Sequence, residues 1–281
     1  MNVKSFDVLG NIAIVRFPEK FSPGNKKKFA EKILKENKGI RTILEKREKI
    51  KGRLRKLSTN FIAGENTKEV LYRENDCVFR FNVDETYFSP RLSNERKEIA
   101  DKIKKNETVL VMFAGVAPFS IVIAKKSKAK KVYSNEINRE ANKYAEMNIK
   151  MNKLKDKVII VPGDAKKIHE KFATSFAKPT RPPKGEQIST REVVPSKFDV
   201  IVMPRPQLKD TFLKEAFVLS KKGTRIYYYD FCKVEDIDFV VEKIKNEAEK
   251  SKKKIKILNV KRAGEIAPYK TRLRVDFVVL N

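Results

Sequence analysis

Three short stretches of the chain end in residues that could hold a nucleoside. "YSNEI" delivers Glu136, "PGDA" delivers Asp164 and Ala165, and "VMPRPQ" delivers Pro204, Arg205 and Pro206. Each ends a run of β-forming residues. A carboxylate at such a point accepts hydrogen bonds from ribose hydroxyls, and a small residue after Gly-Asp leaves room for an adenine edge. A fourth stretch, "VLVMFAGVAPFS" (109–120), reads as strand, tight turn and helix, presenting Phe113 to Ala117 at the turn. One small residue there, Gly115, lets a ligand approach the backbone N–H groups of a helix N-terminus. Each feature alone has a plainer explanation, since a carboxylate after a strand commonly caps the next helix. Their succession after consecutive strands points to an adenosine-type cofactor. S-adenosylmethionine fits better than NAD or ATP, because neither G-x-G-x-x-G nor G-x-x-x-x-G-K-[ST] is present to cradle a diphosphate or triphosphate.

These stretches belong to an alternation of strands and helices that starts near residue 94. "NERKEIADKIKK" is helical and "ETVLVMF" a strand. Helix "PFSIVIAKK", strand "KVYSNEI", helix "REANKYAEMNIKMN" and strand "KVIIVPGD" follow. In the last of these helices Ala141, Tyr144, Ala145 and Ile149 share one face, which leaves a polar remainder. Then come strand "FDVIVMP", helix "LKDTFLKEAFVLS", strand "TRIYYYDF", helix "DFVVEKIKNEAEK" and two β-like runs, "KIKILNVKR" and "TRLRVDFVVLN". Repeated β–α units predict an α/β fold with a parallel sheet covered on both faces, and the short final connection predicts one antiparallel member. Ligands of such sheets bind beyond the carboxyl ends of the strands.

Residues 1–86 read as a small α+β domain and 87–281 as a second, α/β domain. "VKSFDVLG" and "NIAIVRF" pair around a Gly10-Asn11 turn. "NKKKFAEKILKEN" places Phe29, Ile33 and Leu34 on one helical face, and "RTILEK", "KGRLRKLS", "NFIAGE", "EVLYRE" and "CVFRFN" are β-like. "YFSPRLSNER" joins the two parts, with Pro90 stopping any strand ladder. The basic loop 175–197 holds prolines 179, 182, 183 and 195. It is either a tolerated insertion or an RNA-contacting arm.

The 281 residues carry a formal charge of +28 and are 41% hydrophobic. That composition predicts a globular protein with a polyanionic partner; lysine bias in an AT-rich or thermophilic genome is the alternative source of the charge. Two cysteines, Cys77 and Cys232, and one histidine, His169, cannot supply a four-ligand zinc site or a disulfide framework. No metal is expected. His169 lies in a charged helical stretch, which argues against a serine–histidine triad. "MNVKSFDVLG" lacks an apolar signal core, and the uncharged run 108–124 contains Gly115 and Pro118 and falls short of a membrane span. We expect a soluble, cytoplasmic monomer.

At "YFSPRLSNER", "VLVMFAGVAPFSIVIAKKSKAKKVYSNEIN" and "GDA", the chain resembles the archaeal and eukaryotic tRNA (guanine-37) methyltransferase family, including its wybutosine-pathway relatives. The resemblance extends through "FDVLGNIAIVRFPE" and "FIAGENTKEVLYREN" and covers nearly the whole chain. It implies a Rossmann-like class I methyltransferase domain beside the small domain, with S-adenosylmethionine as cofactor and the anticodon stem-loop of tRNA as partner. By that resemblance Ser89, Arg96, Phe113, Gly115, Glu136, Ile137, Asp164 and Ala165 contact the cofactor. Arg91 faces the guanine and steadies charge on its carbonyl oxygen, and Pro206 lies at the reacting base; the base that takes the guanine proton is open, with Glu136 the nearest candidate acid unless ribose binding already occupies it. An interdomain ion pair is the other reading of Arg91. Tyr87, Phe88 and Tyr229 are either stacking surfaces for a flipped base or core.

Three positions depart from the family pattern. Val111 stands where the family has an acid, Ala117 where it has a second glycine, and Pro204 where it has an asparagine. No counterpart of the N-terminal elbow-binding domain of some members is expected from this reading. The implied activity is formation of 1-methylguanosine at position 37. Alternatives are aminocarboxypropyl transfer or methylation of the tricyclic intermediate in the wybutosine pathway, or a basic RNA-binding protein with a decayed cofactor site. Cytosine C5 enzymes need a cysteine before the strand-end proline, and adenine amino-methylases an aromatic after it; Gln207 follows Pro206 here.

Overall fold

The computed structural model describes residues 6–47, 57–174, 195–204 and 210–281. They form two compact units: one from residues up to 101 with 115–126 and 138–156, the other from 102–114, 127–137 and 157–281.

In the first unit, β1 (Phe6–Leu9) and β2 (Ile12–Val15) form the expected antiparallel hairpin. Helix α1 (Pro23–Glu36) begins where the Ser22 side chain accepts the Asn25 N–H at 3.2 Å, with Pro23 in its first turn. β3 (Thr42–Lys46) pairs parallel to β2, and β4 (Thr59–Gly64) pairs antiparallel to β3. Parallel neighbours need a crossover, and α1 supplies it. Its buried Ala30 and Ile33 join Ala13, Val15 and Ile43 in a core. β5 (Glu69–Glu74) and β6 (Cys77–Asn82) make a separate two-stranded sheet. The remaining helices are α2 (Ser93–Asp101), α3 (Pro118–Lys126) and α4 (Arg139–Met151).

Side-chain amides take the place of a further strand along β6. Asn152 Oδ1 accepts the Val78 N–H at 2.9 Å, and its Nδ2 donates to the Val78 carbonyl at 2.7 Å. Asn148 Oδ1 accepts the Arg80 N–H at 2.7 Å, and its Nδ2 donates to the Val116 carbonyl at 3.1 Å. The apolar face read for α4 is buried as expected, but Asn148 and Asn152 are buried too rather than part of a polar surface. An amide side chain offers the same donor and acceptor pair as a peptide group, so it satisfies an edge that would otherwise be orphaned.

The second unit contains β7 (Thr108–Met112), β8 (Lys131–Glu136), β9 (Val158–Pro162), β10 (Phe198–Met203), β11 (Ser220–Lys233), β12 (Ile255–Ala267) and β13 (Lys270–Val279). They form one sheet in the order β12-β13-β11-β10-β7-β8-β9, with α5 (Ile168–Thr174), α6 (Leu213–Val218) and α7 (Ile237–Lys250) in the same unit. β7 to β11 run parallel and β13 antiparallel to β11. This is the mostly parallel sheet with an antiparallel member expected of a Rossmann-like methyltransferase domain. The last strand in the chain inserts between β11 and β12, so β12 takes the edge. Its pairing with β13 shifts register at Ile257/Asn259, Arg262/Glu265 and Glu265/Ala267.

α6 is shorter than the helix read over 208–220. Phe212 precedes it with φ 56°, and Ser220 already belongs to β11. β13 alternates Leu273, Val275 and Phe277 in the core with Arg274 and Asp276 on the other face. Those two charges are buried as a bidentate pair, Nε–Oδ1 2.8 Å and Nη2–Oδ2 3.1 Å. Pairing is what makes such charges tolerable away from water. Among the described residues no helix is long and apolar enough to cross a membrane.

Replacing Asn148 by alanine leaves the Arg80 N–H and the Val116 carbonyl without their partner. Urea unfolding is expected to show a loss of about 2 kcal/mol or more, whereas Lys150→Ala on the exposed side of the same helix changes stability by about 0.5 kcal/mol at most.

Candidate cofactor site

β7, β8 and β9 end at the same edge of their sheet, with Met112 opposite Asn135 and Glu136 opposite Pro162. Phe113, Glu136 with Ile137, and Gly163 with Asp164 therefore leave the sheet at successive strand ends. The buried Asn135 fastens them. Its Nδ2 donates to the carbonyls of Val161 at 2.9 Å and Gly163 at 3.0 Å, and its own carbonyl accepts the Ala114 N–H at 2.8 Å. The Gly163 N–H returns to the Glu136 carbonyl at 2.8 Å. Gly163 sits at φ 122°, a conformation that only glycine adopts readily.

The next residues are equally defined. Asp164 accepts the Lys166 N–H at 3.0 Å and caps a short 3-10 turn, Ala165–Lys167, whose Ala165 is buried in the core. Lys166 Nζ reaches Asp210 Oδ2 at 2.7 Å, and that hydrogen bond holds the Asp210 carboxyl below its ordinary range. Pro204 ends β10 half-buried. Arg205 and Pro206 lie outside the described residues, as do residues 175–194 of the basic loop.

The backbone between β7 and α3 is left-handed at alternate residues: Phe113 (φ 57°), Gly115 (φ 58°) and Ala117 (φ 66°). Phe113 packs edge-on against Phe212, ring centroids 5.0 Å apart. A Cβ on Gly115 would stand 3.3 Å from the Tyr87 carbonyl. Ala117 is fully buried, and its carbonyl accepts the Ile121 N–H at 2.9 Å, opening α3. An alanine held there costs about 1 kcal/mol or more that glycine would not. Val111 is fully buried, level with Ser134 and Val202 on its neighbouring strands, so valine keeps a charge out of the sheet interior.

The first unit holds the other nominated residues. Ser89 is buried at the head of the 3-10 turn Pro90–Leu92, and its carbonyl accepts from Arg96 Nη2 at 3.0 Å. Arg96 is 1% exposed. It pairs with Glu74 through Nε and through Nη2 at 2.6 Å, with its guanidinium 5.1 Å from the Phe88 ring and 5.7 Å from Phe119. Phe88 stacks on Phe81 at 4.7 Å, so this ring is core, as is the buried Tyr229; Tyr87 is half-buried. The Arg91 side chain is 66% exposed and lies 3.6 Å from Asp7. An exposed pair at that distance is worth about 1 kcal/mol at most, which leaves Arg91 available to a ligand.

Other chemistries find little support. His169 is exposed on α5, and burial pushes the Cys77 thiol up to about 11 and raises Cys232 as well. Neither thiol is poised as a nucleophile. Among the described residues no cluster of acids, cysteines and histidine could hold a metal. Glu136 and Asp164 are acceptors, matched to hydroxyl and amine donors rather than phosphates. Those acceptors fit the ribose hydroxyls and adenine amine of S-adenosylmethionine. Sequence reasoning missed Asn135 and Asn148; their one signal was a polar residue inside an otherwise apolar run or face.

Two family models match the chain: the TRM5/TYW2 methyltransferase domain over residues 70–176 and the TYW2 N-terminal domain over residues 2–67. The tRNA (guanine(37)-N(1))/4-demethylwyosine(37)-methyltransferase Taw22 of Nanoarchaeum equitans is 34% identical, across 98% of this chain and 100% of its own length. The crystal structure of Trm5b from Pyrococcus abyssi is 34% identical with a TM-score of 0.80, covering 99% of this chain and 76% of that one. Trm5 of Methanocaldococcus jannaschii in complex with adenosine is 25% identical with a TM-score of 0.76, covering 99% of this chain and 72% of that one.

Asn135→Ala strips the Val161 and Gly163 carbonyls of their donor. We expect a stability loss of about 1–3 kcal/mol by denaturant unfolding, accompanied by faster amide exchange at Gly163 and Asp164.

Proposed function

Since the chain belongs to the TRM5/TYW2 methyltransferase family, we propose that it methylates N1 of guanine-37 in tRNA with S-adenosylmethionine, giving 1-methylguanosine beside the anticodon. The observation that carries this reading is identity of 34% to Taw22 over that protein's full length, joined to the carboxylates at the ends of β8 and β9. When bound, S-adenosylmethionine supplies a methyl group on an electrophilic sulfonium. In this reading Glu136 accepts from the ribose hydroxyls, and Asp164, Ala165, Phe113 and Ile137 bound the adenosine. Gly115, Ser89 and Arg96 belong to the methionine side, Arg96 acting through the Ser89 carbonyl it holds. Arg91 steadies the negative charge that builds on the guanine carbonyl as N1 loses its proton. The +28 charge draws the anticodon stem-loop to the protein. Pro206 is assigned to the guanine side, residues 1–86 to the RNA side, and the protein to the cytoplasm as a monomer.

A second reading is favoured by one observation. The name of the full-length Nanoarchaeum relative includes methylation of 4-demethylwyosine. Parallel incubations with methyl-labelled and carboxypropyl-labelled cofactor, on unmodified tRNA and on tRNA carrying the tricyclic base, test both. Methyl label in unmodified tRNA, mapped to 1-methylguanosine, is the expected result. Methyl label only in the tricyclic substrate installs the second reading, and carboxypropyl label in RNA overturns both.

Glu136→Gln is expected to weaken S-adenosylhomocysteine binding about tenfold by calorimetry, with kcat changing little at saturating cofactor. A collapse of kcat at unchanged affinity would instead make Glu136 the acceptor of the N1 proton. No binding of S-adenosylhomocysteine by the wild type at millimolar ligand would mean a decayed cofactor site.

A further inference from the structure

The sheet of the second unit has an uneven rim. β10 ends at Met203, level with Tyr228 of β11, while β11 continues to Lys233 and stays paired with β13 up to Lys270. At about 3.3 Å per residue the extension rises roughly 16 Å past the end of β10. β12 and β13 turn over at its crest through Pro268 and Tyr269. Because β11 is parallel to β10 and, through it, to β7, β8 and β9, this crest is at the carboxyl end of those strands, where Phe113, Glu136 and Asp164 also leave the sheet.

Tyr269 is 85% exposed, with φ 60°, and its carbonyl accepts the Val234 N–H at 3.0 Å. Left-handed turn positions normally go to glycine or asparagine. A tyrosine here is strained and unburied, so neither backbone geometry nor packing accounts for its ring. The exposed cations nearby are Lys270, next to the ring in sequence, and Arg262 further along β12, paired with Glu265 at 3.1 Å, with the half-buried Lys261 beside it; Arg272 and Arg274 are buried. Ile266 adds exposed apolar surface beside the turn at 38%. A flat ring raised among cations is the arrangement with which proteins grip unpaired bases.

We propose that the β12–β13 crest is an RNA contact, with Tyr269 stacking on an unpaired base of the bound tRNA and Lys270 and Lys261 meeting its phosphates. The inference rests on the tRNA reading above and adds the surface that reads single-stranded RNA. Filter binding of an unmodified tRNA transcript tests it, alongside KM for that tRNA and calorimetry with S-adenosylhomocysteine. Tyr269→Gly and Tyr269→Ala should each weaken tRNA binding about tenfold and raise KM in parallel, with cofactor affinity unchanged. Tyr269→Phe should stay within about twofold of wild type, because the ring face remains. Tyr269→Gly also relieves the backbone, so a purely structural role predicts equal or better binding by that variant.

Glycine and alanine variants that bind tRNA like the wild type overturn the inference, as does a phenylalanine variant as weak as glycine. Self-association of the wild type that Tyr269→Gly abolishes, at unchanged tRNA affinity, makes the crest a protein contact and overturns it as well. Wild-type protein that binds no tRNA removes the activity reading itself, and the inference with it.

Discussion

A single side-chain amide closes the strand ends on which the candidate site is built. Carbonyls at the carboxyl end of a parallel sheet point past the last ladder bond, and buried there they need a partner. Asn135 supplies one to both Val161 and Gly163 while its own carbonyl takes the Ala114 N–H. β7, β8 and β9 thus stop together rather than fraying separately, and Glu136 and Asp164 emerge at a set spacing. The left-handed Gly163 belongs to the same closure, since its N–H must turn back to Glu136 for the asparagine to reach its carbonyl.

Much of the architecture was readable from hydrophobic period. Apolar β-runs alternating with helical stretches gave the order of the second unit's elements, and the terminal pair of runs gave its antiparallel strand. Strand sense and insertion were not readable. The pattern of "RTILEK" is the same whether β3 lies parallel or antiparallel to β2, and nothing in "TRLRVDFVVLN" shows that β13 enters between β11 and β12. Glu136 and Asp164 were legible because a charge ending an apolar run marks a strand end. Asn135, Asn148 and Asn152 were hidden, since an asparagine beside apolar residues reads as solvent-facing until the third dimension supplies its backbone partners. The left-handed Phe113, Ala117 and Tyr269 were invisible for a similar reason: only glycine announces that conformation in one dimension.

The protein uses charge inside as well as outside. Arg96 with Glu74 and Arg274 with Asp276 are buried pairs, each satisfied by bidentate geometry. A lone guanidinium in either place would be costly, so each pair survives only whole. Arg96, nominated by family resemblance, holds the Ser89 carbonyl and lies over two aromatic rings within its own unit.

The register shifts along β12 have a consequence for how these molecules meet one another. A 13-residue strand at a sheet edge presents a row of backbone groups that could recruit a strand from another copy. Three irregularities in its pairing with β13 break that row into short pieces, and Lys256, Lys261 and Arg262 place like charges along it. A second edge brought alongside would find neither a continuous ladder nor a neutral face. The kinks guard the chain against β-sheet polymerisation.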